Sequence, residues 1–115
     1  MTVTIYHNPR CSKSRQTLEL LRQRGIEPDV VEYLKTPPSA PELESILGLL
    51  RLEPRQLMRR KESAYEAAGL ADPGLSRAAL IQAMVDQPIL IERPIVLANG
   101  QAAVGRPPEN VRAIL

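Results

Sequence analysis

The chain has 115 residues, 43% of them apolar and 24% charged, with a formal net charge of +2. This length suits one domain with a real core and is too short for two independent cores. No apolar run approaches the roughly 18 residues of a membrane span, and no signal-peptide pattern opens the chain, so the expected setting is soluble and cytoplasmic. A net charge of +2 is too small to argue for nucleic-acid binding. A single cysteine excludes an internal disulfide and a thiolate metal cluster, so any redox chemistry must borrow a second thiol.

The charges are unevenly distributed. Residues 1–24 hold five basic and one acidic side chain, 51–61 five and one, and 93–115 three and one; the segments between them reverse the balance. Two readings fit: alternating solvated faces, or three basic segments that converge on an anion.

In chain order, Thr2–Tyr6 ("TVTIY") is β-branched and aromatic and predicts a strand. A helical pattern starts at Ser12 and stops at Gly25 after a basic last turn. Leu21 and Leu18 define its inner stripe, and Ser14 and Cys11 fall near that stripe at the helix start. Cys11 should therefore face inward. "IEPDVVEYL" predicts a second strand, parallel to the first because a helix connects them. Ser39 followed by Glu42 predicts a capping box for a helix with Leu43, Ile46, Leu47 and Leu50 on its apolar face. Residues 53–74 predict turns and short helical pieces in no clear order. Ser76 predicts the N-cap of a helix carrying Leu80, Met84 and Val85 and ending before Pro88. In "PIVLANGQAAV", Asn99-Gly100 joins two apolar runs and predicts a hairpin. "GRPPENVRAIL" predicts a final helix with prolines in its first turn and Val111, Ile114 and Leu115 on one face. The order β-α-β, helical insert, β-β-α predicts an α/β, thioredoxin-like fold: one domain over residues 1–115 with a mixed four-stranded sheet and an inserted helical segment at about 39–87.

The chemistry-bearing stretch is "YHNPRCSKSR", Tyr6–Arg15, which holds the only cysteine and the only histidine. An unperturbed thiol, with a pKa of about 8.5, is only a few per cent ionised at neutral pH, and the thiolate is the reactive form. Cys11 sits where a strand passes into a helix, so free N–H groups and the helix dipole favour a negative sulfur. His7, Arg10, Lys13 and Arg15 add positive potential nearby. Two roles are open to Ser14, hydrogen-bonding the thiolate or back-bonding to the helix. Position 14 is serine, so C-x-x-C is absent, and Thr17 excludes the C-x5-R loop of tyrosine phosphatases.

"YHNPRCSKSR", "LMRRKESAY" at Leu57–Tyr65, "LIQAMVDQPILIERPIVLANG" and "GRPPENV" together resemble the ArsC family of glutaredoxin-coupled arsenate reductases, closest to its short, YfgD-like branch. The resemblance runs from about Val3 to Leu115. It implies that Cys11 is the nucleophile and that His7, four residues before it, helps to hold the thiolate. It also implies that Arg59, Arg93 and Arg106 bind the oxyanion, with Arg60 as the competing choice for the first. Guanidinium forks suit a tetrahedral oxyanion such as arsenate. Pro94 falls where thioredoxin-like folds keep a cis proline.

The implied reaction is thiolate attack on arsenate with loss of water, attack of glutathione on the arsenic, release of arsenite, and reduction of the Cys11–glutathione disulfide by glutaredoxin. Glutathione is then a co-substrate, with no tightly bound cofactor, no metal, and no nucleic-acid or membrane partner. Two other functions fit the same residues: a glutathione-dependent thiol transferase, or a non-enzymatic regulator resembling Spx-type proteins, although those sense oxidation through the C-x-x-C that Ser14 interrupts. No interface stripe stands out, so a monomer is the default expectation.

Overall fold

The computed structural model describes residues 2–115. Backbone contacts divide the chain into two compact units: the chain up to Thr36 together with Arg93–Leu115, and Pro37–Glu92.

The first unit is built on a four-stranded sheet. Its strands are β1 (Thr4–His7), β2 (Asp29–Glu32), β3 (Ile95–Ala98) and β4 (Gln101–Val104), in the order β2-β1-β3-β4. β1 runs parallel to β2, with His7 opposite Glu32, and antiparallel to β3; β3 and β4 are antiparallel. Helix α1 (Ser12–Gln23) connects the parallel pair. The mixed sheet and the β-α-β, β-β-α order are those of the predicted α/β, thioredoxin-like class.

Strand alternation explains the core. Side chains two apart share a face, so Val3 and Ile5 pack in one cluster with Leu21 of α1, Val96 and Ala98 of β3, and Val111 and Ile114 near the C-terminus. His7 is next on that face of β1, and it meets α1 at Ser14, about two turns before Leu21. The hairpin turn forms as predicted: Asn99 and Gly100 both have positive φ, 55° and 71°, which suits the right-handed twist of the flanking strands. The predicted second strand is shorter in the structure, four residues at Asp29–Glu32. The predicted final helix is a 3₁₀ helix, Pro108–Ile114, rather than an α-helix. Val111 and Ile114, three apart and so aligned by the 3₁₀ period, lie on its buried face, with Leu115 only partly covered.

In the second unit, α2 (Ala40–Leu50) starts with the predicted capping box: Ser39 accepts the Glu42 N–H at 3.2 Å and the Glu42 carboxylate accepts the Ser39 N–H at 3.1 Å. It buries Leu43, Ile46 and Leu47. A 3₁₀ turn (Pro54–Leu57) and the short α3 (Ser63–Ala67) order the stretch that sequence periodicity left open. Helix α4 (Arg77–Asp86) is capped by Ser76, whose hydroxyl accepts the Ala79 N–H. Its buried face is Leu80, Ile81 and Met84; Val85 is only partly covered, a shift of the predicted stripe toward Ile81. Arg59 N–H to Leu90 O, at 2.7 Å, and Glu92 N–H to Leu57 O, at 2.8 Å, tie the segment after the 3₁₀ turn to the end of the unit. Among the described residues no helix is long and apolar enough to cross a membrane.

Candidate active site

The loop from β1 to α1 is held by its own backbone. Asn8 Oδ1 accepts the Arg10 N–H at 3.0 Å, and Asn8 O accepts the Cys11 N–H at 3.0 Å. This asparagine turn delivers Cys11 in extended geometry (φ −95°, ψ 123°) to the N-cap of α1, and the first helical bond runs from Arg15 N–H to Cys11 O. The N–H groups that follow the cap have no partner inside the helix. Cys11 is 7% exposed, inward-facing as its place on the helix stripe predicts.

The sulfur is surrounded by donors. Arg106 Nη2 donates to Cys11 Sγ at 3.4 Å, and Arg106 Nε donates to the Arg93 carbonyl at 2.9 Å. Burial pushes the Cys11 thiol up. The Ser14 N–H, the Arg93 guanidinium and the Lys13 N–H outweigh it, leaving the thiol below the ordinary cysteine value. Residues from three chain segments thus meet at one sulfur: the β1–α1 loop, the start of β3 and the end of β4. The Arg93–Pro94 peptide is cis, as the fold resemblance implies, and so is Arg106–Pro107.

Gly105 is needed for this closeness. A methyl group there would lie 2.5 Å from Thr17 Oγ1 and 2.8 Å from Pro94 Cγ, while the Gly105 N–H bonds the Pro94 carbonyl at 2.9 Å. The backbone that carries Arg106 therefore runs directly against α1 and Pro94. Neither Gly105 nor Asn8 was identified from the sequence as a site residue. Their roles depend on contacts with distant or backbone partners, which residue type alone does not announce.

His7 and Ser14 are linked to each other. Ser14 Oγ and His7 Nδ1 are 2.6 Å apart, and Ser14 Oγ accepts the Asn8 N–H at 3.0 Å. Burial holds the His7 imidazolium pKa below the ordinary histidine range; Glu32 opposes this, and Arg22 and Arg15 reinforce it. Burial thus favours the neutral imidazole. Arg15 is exposed, and its guanidinium donates to the Pro9 carbonyl at 3.0 Å.

Arg59 belongs to the second unit. Its Nε donates to Glu62 and its Nη1 to Glu92, both at 3.0 Å. Burial works against its charge, and Glu62 and Glu92 more than compensate, raising its pKa. Glu62 is legible as an i+3 neighbour; Glu92, far along the chain, is not. Arg60, the competing residue, is exposed and donates to the Arg55 carbonyl at 3.3 Å.

Comparison with known proteins agrees with this fold and its sequence motifs. The model of the ArsC family matches residues 6–114. The chain is 59% identical over 114 residues to uncharacterized protein YfgD of Escherichia coli (strain K12), covering 98% of this chain and 96% of that one. It is 54% identical over 114 residues to an arsenate reductase of Neisseria meningitidis serogroup A, covering 98% and 97% of the two chains. The solved structure of an arsenate reductase from Vibrio cholerae superposes with a TM-score of 0.98 at 55% identity, covering 100% of this chain and 98% of that chain. By the family match along nearly its whole length and by these relatives, the chain belongs to the ArsC family.

Proposed function

We propose that the protein reduces arsenate to arsenite, with Cys11 as nucleophile and glutathione and glutaredoxin as the source of electrons. The observation that carries this reading is the single thiol at a helix start with the Arg106 guanidinium 3.4 Å from its sulfur and the Arg93 guanidinium favouring its anion. Such a site favours the thiolate and offers guanidinium donors to an oxyanion that approaches it. The names of relatives with more than half their residues identical support the substrate class.

The steps balance as follows. The Cys11 thiolate forms a bond to arsenic, and one arsenate oxygen leaves as hydroxide, which takes a proton from solvent. Glutathione supplies the second thiol. As the Cys11–glutathione disulfide forms, the sulfur–arsenic bond breaks, its electron pair stays on arsenic, and arsenite departs. A glutaredoxin thiolate then takes the glutathione, and Cys11 returns as thiolate. Arg93 and Arg106 hold the oxyanion beside the sulfur, and the family resemblance implies Arg59 as a third guanidinium.

The test is arsenate reduction by the purified protein with glutathione and glutaredoxin, compared with Cys11→Ser. Turnover by the wild-type chain and none by the variant is the expected result. If the wild-type chain reduces mixed glutathione disulfides but not arsenate, the thiol-transferase reading replaces this one.

A further inference from the structure

We infer that Ser14 is the positioning residue through which a neutral His7 acts on Cys11: His7 Nδ1 accepts the Ser14 hydroxyl proton, and this pins the first turn of α1 against the sulfur. The inference rests on the reading of Cys11 as the reactive nucleophile, and it assigns His7 a hydrogen-bonding role rather than an electrostatic one.

The argument is a count of protons. A serine hydroxyl has one proton to donate and lone pairs to accept with. Ser14 is 0% exposed, so solvent does not complete its hydrogen bonds. One lone pair takes the Asn8 N–H at 3.0 Å, and the other neighbour of Oγ is His7 Nδ1 at 2.6 Å. If Nδ1 carried the proton and donated it, the Ser14 hydroxyl proton would have no acceptor among the described residues. A buried donor left that way is costly. The arrangement that satisfies every group has Ser14 donating to a bare Nδ1, with the imidazole proton on Nε2. An imidazolium carries protons on both nitrogens and cannot keep this arrangement.

The consequence for the sulfur follows from position. Ser14 is three residues after Cys11, and its own N–H is one of those that favour the thiolate. Through Oγ the same residue is tied to His7 at the end of β1 and to Asn8 in the loop that follows. The hydroxyl therefore clamps the helix start to the loop that carries the thiol. Burial favours the neutral ring that this requires, against Glu32 on β2 and with Arg22 and Arg15 on α1; Arg10 and Lys35 line the cavity beside the ring. Arg93 and Arg106 are the cations that face the sulfur itself.

Alkylation of Cys11 by iodoacetamide as a function of pH reads the thiolate in the full chain without arsenate. His7→Asn keeps an acceptor oxygen near the place of Nδ1 and can never be charged; its alkylation rate at about pH 6.5 should stay within about twofold of wild type. His7→Ala and Ser14→Ala should each slow it by about threefold to tenfold. Nitrogen NMR of the wild-type ring near neutral pH should show Nε2 protonated and Nδ1 bare. An equal loss in His7→Asn and His7→Ala, a wild-type rate in Ser14→Ala, or an Nδ1–H or doubly protonated ring would overturn the inference. Because none of these readouts involves arsenate, a chain that passes them but does not turn arsenate over contradicts the proposed reaction and upholds the role of Ser14.

Discussion

Two guanidinium environments in this chain differ in what balances their charge. At Cys11, Arg106 donates to the sulfur and to a backbone carbonyl, and the Arg93 guanidinium lowers the thiol pKa. The anion at that place is the thiolate itself. At Arg59 the guanidinium lies between two carboxylates, Glu62 and Glu92, in the second unit. The first arrangement favours a negative charge on the sulfur. The second is already compensated, and an oxyanion that uses Arg59 must compete with its carboxylates.

The comparison is broken most directly by removing Arg106. Arg106→Ala deletes a charged donor at the sulfur, and kcat/KM for arsenate should fall by about tenfold to 150-fold, or about 1.5–3 kcal/mol. Arg59→Ala should cost less, because its charge is compensated before substrate arrives. An equal or larger loss at Arg59 would reverse the ranking of the two environments.

Gly105→Ala tests the backbone that brings Arg106 to the sulfur. The added methyl meets Thr17 and Pro94 at 2.5 and 2.8 Å, so thermal or urea unfolding should show a loss of about 1–3 kcal/mol. A wild-type midpoint would mean that this contact relaxes without cost.

The pH dependence of stability sharpens the thiolate side. The folded Cys11 pKa is depressed, so the thiolate contribution is complete above the unfolded value of about 8.5 and is lost as pH falls through the folded value. The stability difference between the wild-type chain and Cys11→Ser should therefore grow in favour of wild type as pH rises through that window. A flat difference would contradict the depressed pKa.

The smallest effect should come from Glu92→Gln. It removes one of two carboxylates from Arg59, and sulfate or arsenate affinity should improve by about twofold to fivefold if Arg59 takes part in anion binding. Unchanged affinity, measured by calorimetry, would remove Arg59 from the oxyanion site.

What the sequence made legible was local. The capping box at Ser39 and Glu42, the Asn99-Gly100 turn and the inward-facing Cys11 each rest on residues within a few positions of one another, and each is found in the structure. The convergence of Arg93 and Arg106 on Cys11 came from family resemblance, since charge spacing left solvated faces equally open. The contacts that read least well are long-range: Glu92 on Arg59, and Thr17 against Gly105. The Ser14–His7 bond was half legible. The strand period puts His7 on the face of Val3 and Ile5, and the helix period puts Ser14 on the stripe of Leu21, but which partner the hydroxyl takes depends on the loop between them. The two prolines at 107 and 108 marked a helix start correctly and gave no sign that the turns would be 3₁₀.

The central claim is that Cys11 is a thiolate that takes arsenic and then shares a disulfide with an external thiol. Mass spectrometry of the intact chain incubated with arsenate and glutathione, without glutaredoxin, tests it most directly. The account predicts a glutathione adduct on Cys11 that depends on arsenate and disappears when glutaredoxin is added. An unmodified Cys11 under these conditions, or an adduct that forms equally fast without arsenate, would contradict it.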